Sequence, residues 1–238
     1  MTRTLLWRGM LAGILAALLA TLVARVIAEP QIDLAIGYEA SHAAHHAPAA
    51  AEEPELVSRD TQKGAGLFTA LALYGAAVGG IFSLVFAYGY GRFGRIGPRS
   101  FALLLAGLAF LLIVIVPGIK YPQTPPAVGQ HETVGIRTAA YFMMIGLSIA
   151  AAVIAAHVRT ALLRSLRPID ATLLAVGAFA LVVGVGQYLL PVINEVPADF
   201  PATLLWNFRI ASIASQAVLW GTIGIAFGLW AEPVLRRA

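Results

Sequence analysis

His42, His45 and His46 place three of the chain's five histidines within five residues. Imidazoles spaced i, i+3 and i+4 share one face of a helical turn, and even on a mobile loop three can converge on one borderline-soft divalent ion such as cobalt, nickel or zinc. Glu52 and Glu53 follow in the same segment with carboxylate oxygens, and His131 with Glu132 places a second imidazole beside a carboxylate. The expected metal ligands are therefore His42, His45, His46, Glu52, Glu53, His131 and Glu132. The competing reading of the first cluster is a solvated alanine-rich linker that contains histidines by composition alone.

A second group of residues is charged or polar inside apolar surroundings. Arg25, Arg137 and Arg209 fall within or at the ends of apolar stretches. An arginine near the centre of a spanning helix costs roughly 2.5 to 3.5 kcal/mol on insertion scales, and less where it snorkels to the interface. Arg25 and Arg137 are shallow enough to snorkel. Arg209 stands about 9 Å in from Thr203 at 1.5 Å per residue, so it is expected to turn inward, at the head of a polar stripe continued by Ser212 and Gln216. Arg137, Tyr141, Met144 and Ser148 form a similar stripe. Glu29, Glu132, Glu195 and Asp199 are placed to neutralise these cations. The expected network comprises Arg25, Glu29, Lys120, Arg137, Glu195, Asp199, Arg209, Ser212 and Gln216. It lines an internal path, or fixes helix packing as interhelical ion pairs.

Catalytic constellations are missing. The chain has no cysteine, so disulfides, thiolate metal sites and thiol catalysis are excluded. No nucleophile is paired with a base, and no Walker loop occurs. Gly89, Gly91 and Gly94 have dinucleotide-fingerprint spacing without the strand that motif requires. An enzyme is not expected, nor a bound cofactor; a divalent metal such as cobalt would enter as substrate.

The elements that position these residues are six apolar stretches: Leu5 to Ala28, Gly64 to Tyr90, Phe101 to Ile119, Val134 to His157, Ala171 to Leu190 and Thr203 to Trp230. Each approaches the ~20 residues a helix needs to cross ~30 Å of hydrocarbon. With 59% hydrophobic and 12% charged residues among 238 and a mean hydropathy of +0.82, a water-soluble domain could not hide so much apolar surface. Backbone groups in lipid must be satisfied internally, which leaves helices or a closed barrel. Long apolar runs without period-2 alternation exclude the barrel. The expected fold is a single all-α transmembrane domain of six helices spanning residues 1–238.

Charge gives the orientation. Arg3, Arg8, Arg92, Arg95, Arg99, Arg159, Arg164, Arg167, Arg236 and Arg237 fall in alternate segments, and ten acids, among them Glu29, Glu53, Glu132 and Glu195, fall in the others. Positive loops stay cytoplasmic, so both termini are expected inside and three acidic loops outside. The net charge of +4 is thereby a topological signal, and no nucleic-acid partner is expected. Arg3 and Arg8 before an apolar run, with Val26-Ile27-Ala28 after it, also resemble a signal peptide. The length of the run and the position of Arg25 favour an uncleaved helix.

The outer loops differ in kind. In the first, 29–63, residues 29–39 mix apolar and acidic types as a short interfacial helix would, and Ala40 to Glu55 is low in complexity and expected to be mobile. The second opens at Pro117 and, with four prolines and two glycines over 117–129, should follow a stiff extended path, as a plug or re-entrant segment at the outer mouth of a pathway or as a rigid helix–helix connector. The third, 191–201, repeats prolines with acids. Gly9 with Gly13, Gly75 with Gly79, and Gly224 with Gly228 have the small-xxx-small spacing of tight helix contacts.

Several segments are distinctive beyond composition: Glu29-Pro30-Gln31-Ile32-Asp33, residues 53–60, Lys120-Tyr121-Pro122 with residues 125–129, and Asn194-Glu195-Val196-Pro197 running on to Leu205-Trp206 and Phe208-Arg209. In these the chain resembles, over nearly its whole length, the CbtA family of predicted cobalt transporter subunits. The resemblance implies a multi-pass protein of the bacterial cytoplasmic (inner) membrane that serves cobalt supply for cobalamin synthesis. Its implied partners are the lipid bilayer and a small single-span CbtB-like subunit carrying histidines, with a homo-oligomer also open. The residues themselves leave two functions: a metal-uptake subunit that captures and translocates cobalt, or a non-conducting membrane scaffold or binding subunit whose arginine cluster is structural or holds an anionic ligand.

Overall fold

A computed structural model describes residues 1–46, 66–92 and 96–236. All regular structure among them is helical: α1 (Thr2–Ile27), α2 (Glu29–His46), α3 (Leu67–Gly89), α4 (Pro98–Lys120), α5 (Val134–Leu162), α6 (Pro168–Leu189) and α7 (Ala202–Leu235). All but α2 are long and apolar enough to cross a membrane, so the chain is an all-α, multi-pass membrane protein. Several helices outrun their apolar cores. α4 and α6 begin three residues before the apolar stretch, each with proline in its first turn. There the missing N–H costs nothing and the fixed φ is already helical.

The segment from Ala40, expected to be mobile, instead continues α2 to His46. Alanine has the highest helix propensity. Ser41 Oγ donates to the Tyr38 carbonyl at 2.7 Å, and the His42 ring stacks on Tyr38 with centroids 3.9 Å apart.

The helices gather into two compact units. Unit 1 comprises Met1–Phe110, Pro125–Ala127 and Pro201–Ala238; unit 2 comprises Leu111–Thr124 and Val128–Phe200. In unit 1, α1 packs antiparallel on α3 through the expected glycines. A Cβ on Gly13 would overlap the Gly75 carbonyl, and one on Gly79 would overlap the Gly9 carbonyl. On α7, a Cβ at Gly224 would come within 2.8 Å of Ala106 Cβ, and one at Gly228 within 3.2 Å of Ala102 Cβ. Backbones this close replace hydrophobic driving force with dispersion contact. Beyond them Phe86, fully buried, packs against Phe101 and Phe227 at centroid distances of 5.2 and 4.9 Å.

One end of unit 1 collects cations. Arg8 donates to the Trp230 carbonyl, and Glu232 pairs with Arg99 and, at 2.7 Å, with Arg236. The start of α1, the start of α4 and the end of α7 therefore lie together.

Unit 2 is built from the second half of α4, α5 and α6. Pro117, expected to open a loop, lies within α4. The helix accommodates it by widening to a π-helical stretch at Phe110–Ile115, one of the recognised responses to an interrupted hydrogen-bond ladder. Val116, Met144, Ala151 and Val183 form the core of the unit, flanked by Leu147, Phe179 and Val182. Gly186 leaves room there for Leu147, whose side chain would have to shift if a Cβ were added.

Candidate functional site

The stripe on α5 expected from its spacing faces the irregular part of α4. Met144 and Ser148 are fully buried. Pro117 has no N–H, which leaves the Ile113 carbonyl without an i+4 donor and the Leu112 carbonyl without an i+5 donor. Both receive hydroxyls instead: Tyr141 donates to Ile113 O at 3.1 Å and Ser148 to Leu112 O at 2.5 Å. Towards the Lys120 end of α4, Gln187 Nε2 donates to Val116 O at 3.3 Å. Lys120 Nζ donates to Gln187 O, and the Tyr121 hydroxyl to Pro191 O at 2.8 Å. These last two serve carbonyls at the end of α6, where no further turn supplies N–H groups and the helix dipole favours a cation.

An ion pair closes the same end of the unit. Arg137 Nη1 lies 3.3 Å from Glu195 Oε2, which also accepts the Gln130 N–H at 2.9 Å. The Arg137 guanidinium packs on Gly129, whose φ of +124° and lack of Cβ both suit glycine alone. The Glu195 carboxyl is held below its ordinary value of 4.5, first by the Thr133 hydroxyl, then by the Gln130 N–H and the Arg137 charge, against the opposing effect of burial. Thr133 has one proton and a second acceptor, Gln130 O, at 2.9 Å. With that proton on Gln130, the buried atoms Arg137 Nε and Glu195 Oε1 have no hydrogen-bond partner. The arrangement ties residues 129–133, the start of α5 and the loop after α6 into one charged cluster.

Glu52 and Glu53 lie outside the described residues, as do the side chains of His45, His46 and His131. The backbone of α2 nonetheless carries His42, His45 and His46 at helical spacing. His42 Nδ1 lies 2.9 Å from the Tyr38 carbonyl, and Glu132 is exposed in a short 3₁₀ turn, His131–Thr133. Among the described residues no three His, Asp or Glu side chains gather as a metal-binding group. Arg25 is exposed in the last turn of α1, and Glu29 is half-buried in the first turn of α2. Arg209, Ser212 and Gln216 are half-buried on α7 in unit 1, and Asp199 is exposed in unit 2.

Gln130, Thr133, Gln187 and Glu232 were not anticipated as partners. Gln187 had a signal, being the single amide in an apolar helix; Gln130 acts through its backbone, which no side-chain pattern reveals.

No curated protein and no solved structure matches the chain significantly. Residues 2–232 match the family described as "Probable cobalt transporter subunit (CbtA)". With six membrane-spanning helices and a match over nearly its full length, the chain belongs to the CbtA family.

Proposed function

We propose that this protein is the membrane-embedded subunit of a cobalt uptake system in the bacterial cytoplasmic membrane, with both termini inside, and that it captures metal outside and passes it inward through unit 2. The observation that carries the reading is the seam of α5, where Arg137, Tyr141 and Ser148 bring polar groups to α4 and Glu195 through otherwise apolar helices. Polar side chains and irregular backbone at membrane depth are tolerated where they serve a pathway or are buried in protein. Membership in a family of probable cobalt transporter subunits supports cobalt as the cargo. The acidic loops would attract cations, and His42, His45 and His46, joined by Glu52, Glu53, His131 and Glu132, would capture them weakly. A small single-span CbtB-like subunit would complete the set of imidazole ligands, and the chain itself performs no covalent chemistry.

Cobalt flux into liposomes holding this protein, with and without a candidate small partner, tests the reading. Flux above that of empty liposomes is expected in at least one preparation. No flux in either leaves the scaffold reading in its place.

A further inference from the structure

Ser148 has one hydroxyl proton and two acceptors, Leu112 O at 2.5 Å and Ile145 O at 2.8 Å. With the proton on Leu112 the carbonyl orphaned by Pro117 is capped. With it on Ile145 the Leu112 carbonyl and the Ser148 oxygen face each other with lone pairs only. Two bare oxygens so close repel, and a cation between them removes the repulsion. Nearby, the Tyr141 hydroxyl donates to Ile113 O at 3.1 Å.

We propose that the carbonyl oxygens of Leu112 and Ile113, with the hydroxyl oxygens of Ser148 and Tyr141, form a transient binding site for a partly dehydrated divalent cation; the proposal deepens the transport reading above and rests on it. Metal–oxygen bonds of ~2.1 Å place neighbouring oxygens of an octahedral shell ~3.0 Å apart; the Tyr141–Ile113 pair already matches this at 3.1 Å, and the Ser148–Leu112 pair must open from 2.5 Å to reach it. Carbonyls of an interrupted helix are the backbone groups that coordinate ions in transporters with discontinuous spans. Neutral oxygens hold a divalent ion weakly, which conduction requires, because a site that binds too well does not release. Met144, buried on the same helix face between Tyr141 and Ser148, adds a thioether that favours a transition metal over magnesium.

The test uses the full chain in detergent with His42→Ala, His45→Ala and His46→Ala, so that the first-loop imidazoles do not contribute, and measures bound cobalt by equilibrium dialysis of cobalt chloride. Adding Pro117→Ala restores one N–H to the ladder and so closes one of the two orphaned carbonyls, which breaks up the set of four oxygens. The expected result is that this variant melts higher without metal and loses at least tenfold in affinity at one site, with magnesium bound by neither protein there. Cobalt binding undiminished by Pro117→Ala, or no binding in the parent, overturns the site. If Pro117→Ala fails to fold, the pair Tyr141→Phe and Ser148→Ala decides by the same readout. Liposome flux separates the two proposals. Flux in the wild type with binding insensitive to residue 117 sinks the site alone, and Pro117-sensitive binding without flux sinks the transport reading alone.

Discussion

In unit 1 the closest approaches between helices are backbone on backbone, at Gly13 with Gly75 and at Gly9 with Gly79. In unit 2 they include hydroxyl on carbonyl, at Ser148 with Leu112 and Tyr141 with Ile113. The first kind of contact has one solution, because a carbonyl pressed against a Cα leaves no room for rearrangement. The second is exchangeable, since a hydroxyl rotates between acceptors at little cost. Steric fit gives a fixed contact, and hydrogen bonding gives one that can be exchanged.

The steepest way to break that comparison is to enlarge a glycine. Gly13→Val forces a side chain into the Gly75 carbonyl, and overpacking of this kind costs roughly 1 to 3 kcal/mol, occasionally more. The expected outcome is loss of most folded protein, measured as recovery of monodisperse material in detergent. Gly146→Ala in unit 2, where a Cβ meets nothing within 4 Å, should melt at or above the wild-type temperature because alanine favours helix. Equal tolerance at the two positions would erase the distinction.

A smaller effect is expected from the exchangeable bonds. Ser148→Ala leaves the Leu112 carbonyl without its side-chain donor, and such interhelical bonds in membranes are worth roughly 0.6 to 1.7 kcal/mol. Reversible unfolding in mixed micelles should show a loss within that range. A loss several times larger would mean that unit 2 is as rigidly specified as unit 1.

The two units also differ in how much of them could be read from sequence. Six spans were legible because about 20 apolar residues in succession have few alternatives in water or lipid. The glycine pairs were legible because a spacing of four places small residues on one helix face. The α5 stripe was legible for the same reason. What it faces was not, because Pro117 stood both inside the third apolar stretch and at the head of the loop expected to follow it, and spacing alone does not say which carbonyls α5 meets. The choice of Arg137 for Glu195 was equally hidden, since Arg137 and Arg209 were both offered to the same acids by charge alone. For His42, His45 and His46 the helical spacing was legible but the helix was not, because the alanines that favour it also give the low complexity of a mobile linker.

Charge pairing sharpens the comparison further. The Glu195 carboxyl is held below its ordinary value of 4.5, so its ionised form stabilises the fold. That contribution is complete above 4.5 and is lost as pH falls through the depressed value. Glu195→Gln should flatten this acid limb in a plot of melting temperature against pH while leaving Gly13-type packing untouched. An acid limb of unchanged slope would remove Glu195 from the account.

The smallest effect is expected at the ion pair of unit 1. Arg236 is 75% exposed where it meets Glu232, and exposed pairs four residues apart on a helix contribute ~0.3 to 0.5 kcal/mol. Glu232 keeps Arg99 as a second partner, so Arg236→Ala strands no charge. The expected shift in unfolding free energy is below ~0.5 kcal/mol, and it should shrink further in 1 M salt, where the Debye length falls to ~3 Å. Arg137→Ala is the contrast, because Glu195 is only 10% exposed and would retain no cation among the contacts that now hold it. Its loss should exceed that of Arg236→Ala and persist in salt, since solvent screens a buried carboxylate poorly. If both substitutions responded to salt alike, the Arg137–Glu195 pair would be a surface contact like the other, and the charged cluster at the end of unit 2 would have no claim to hold its two loops in place.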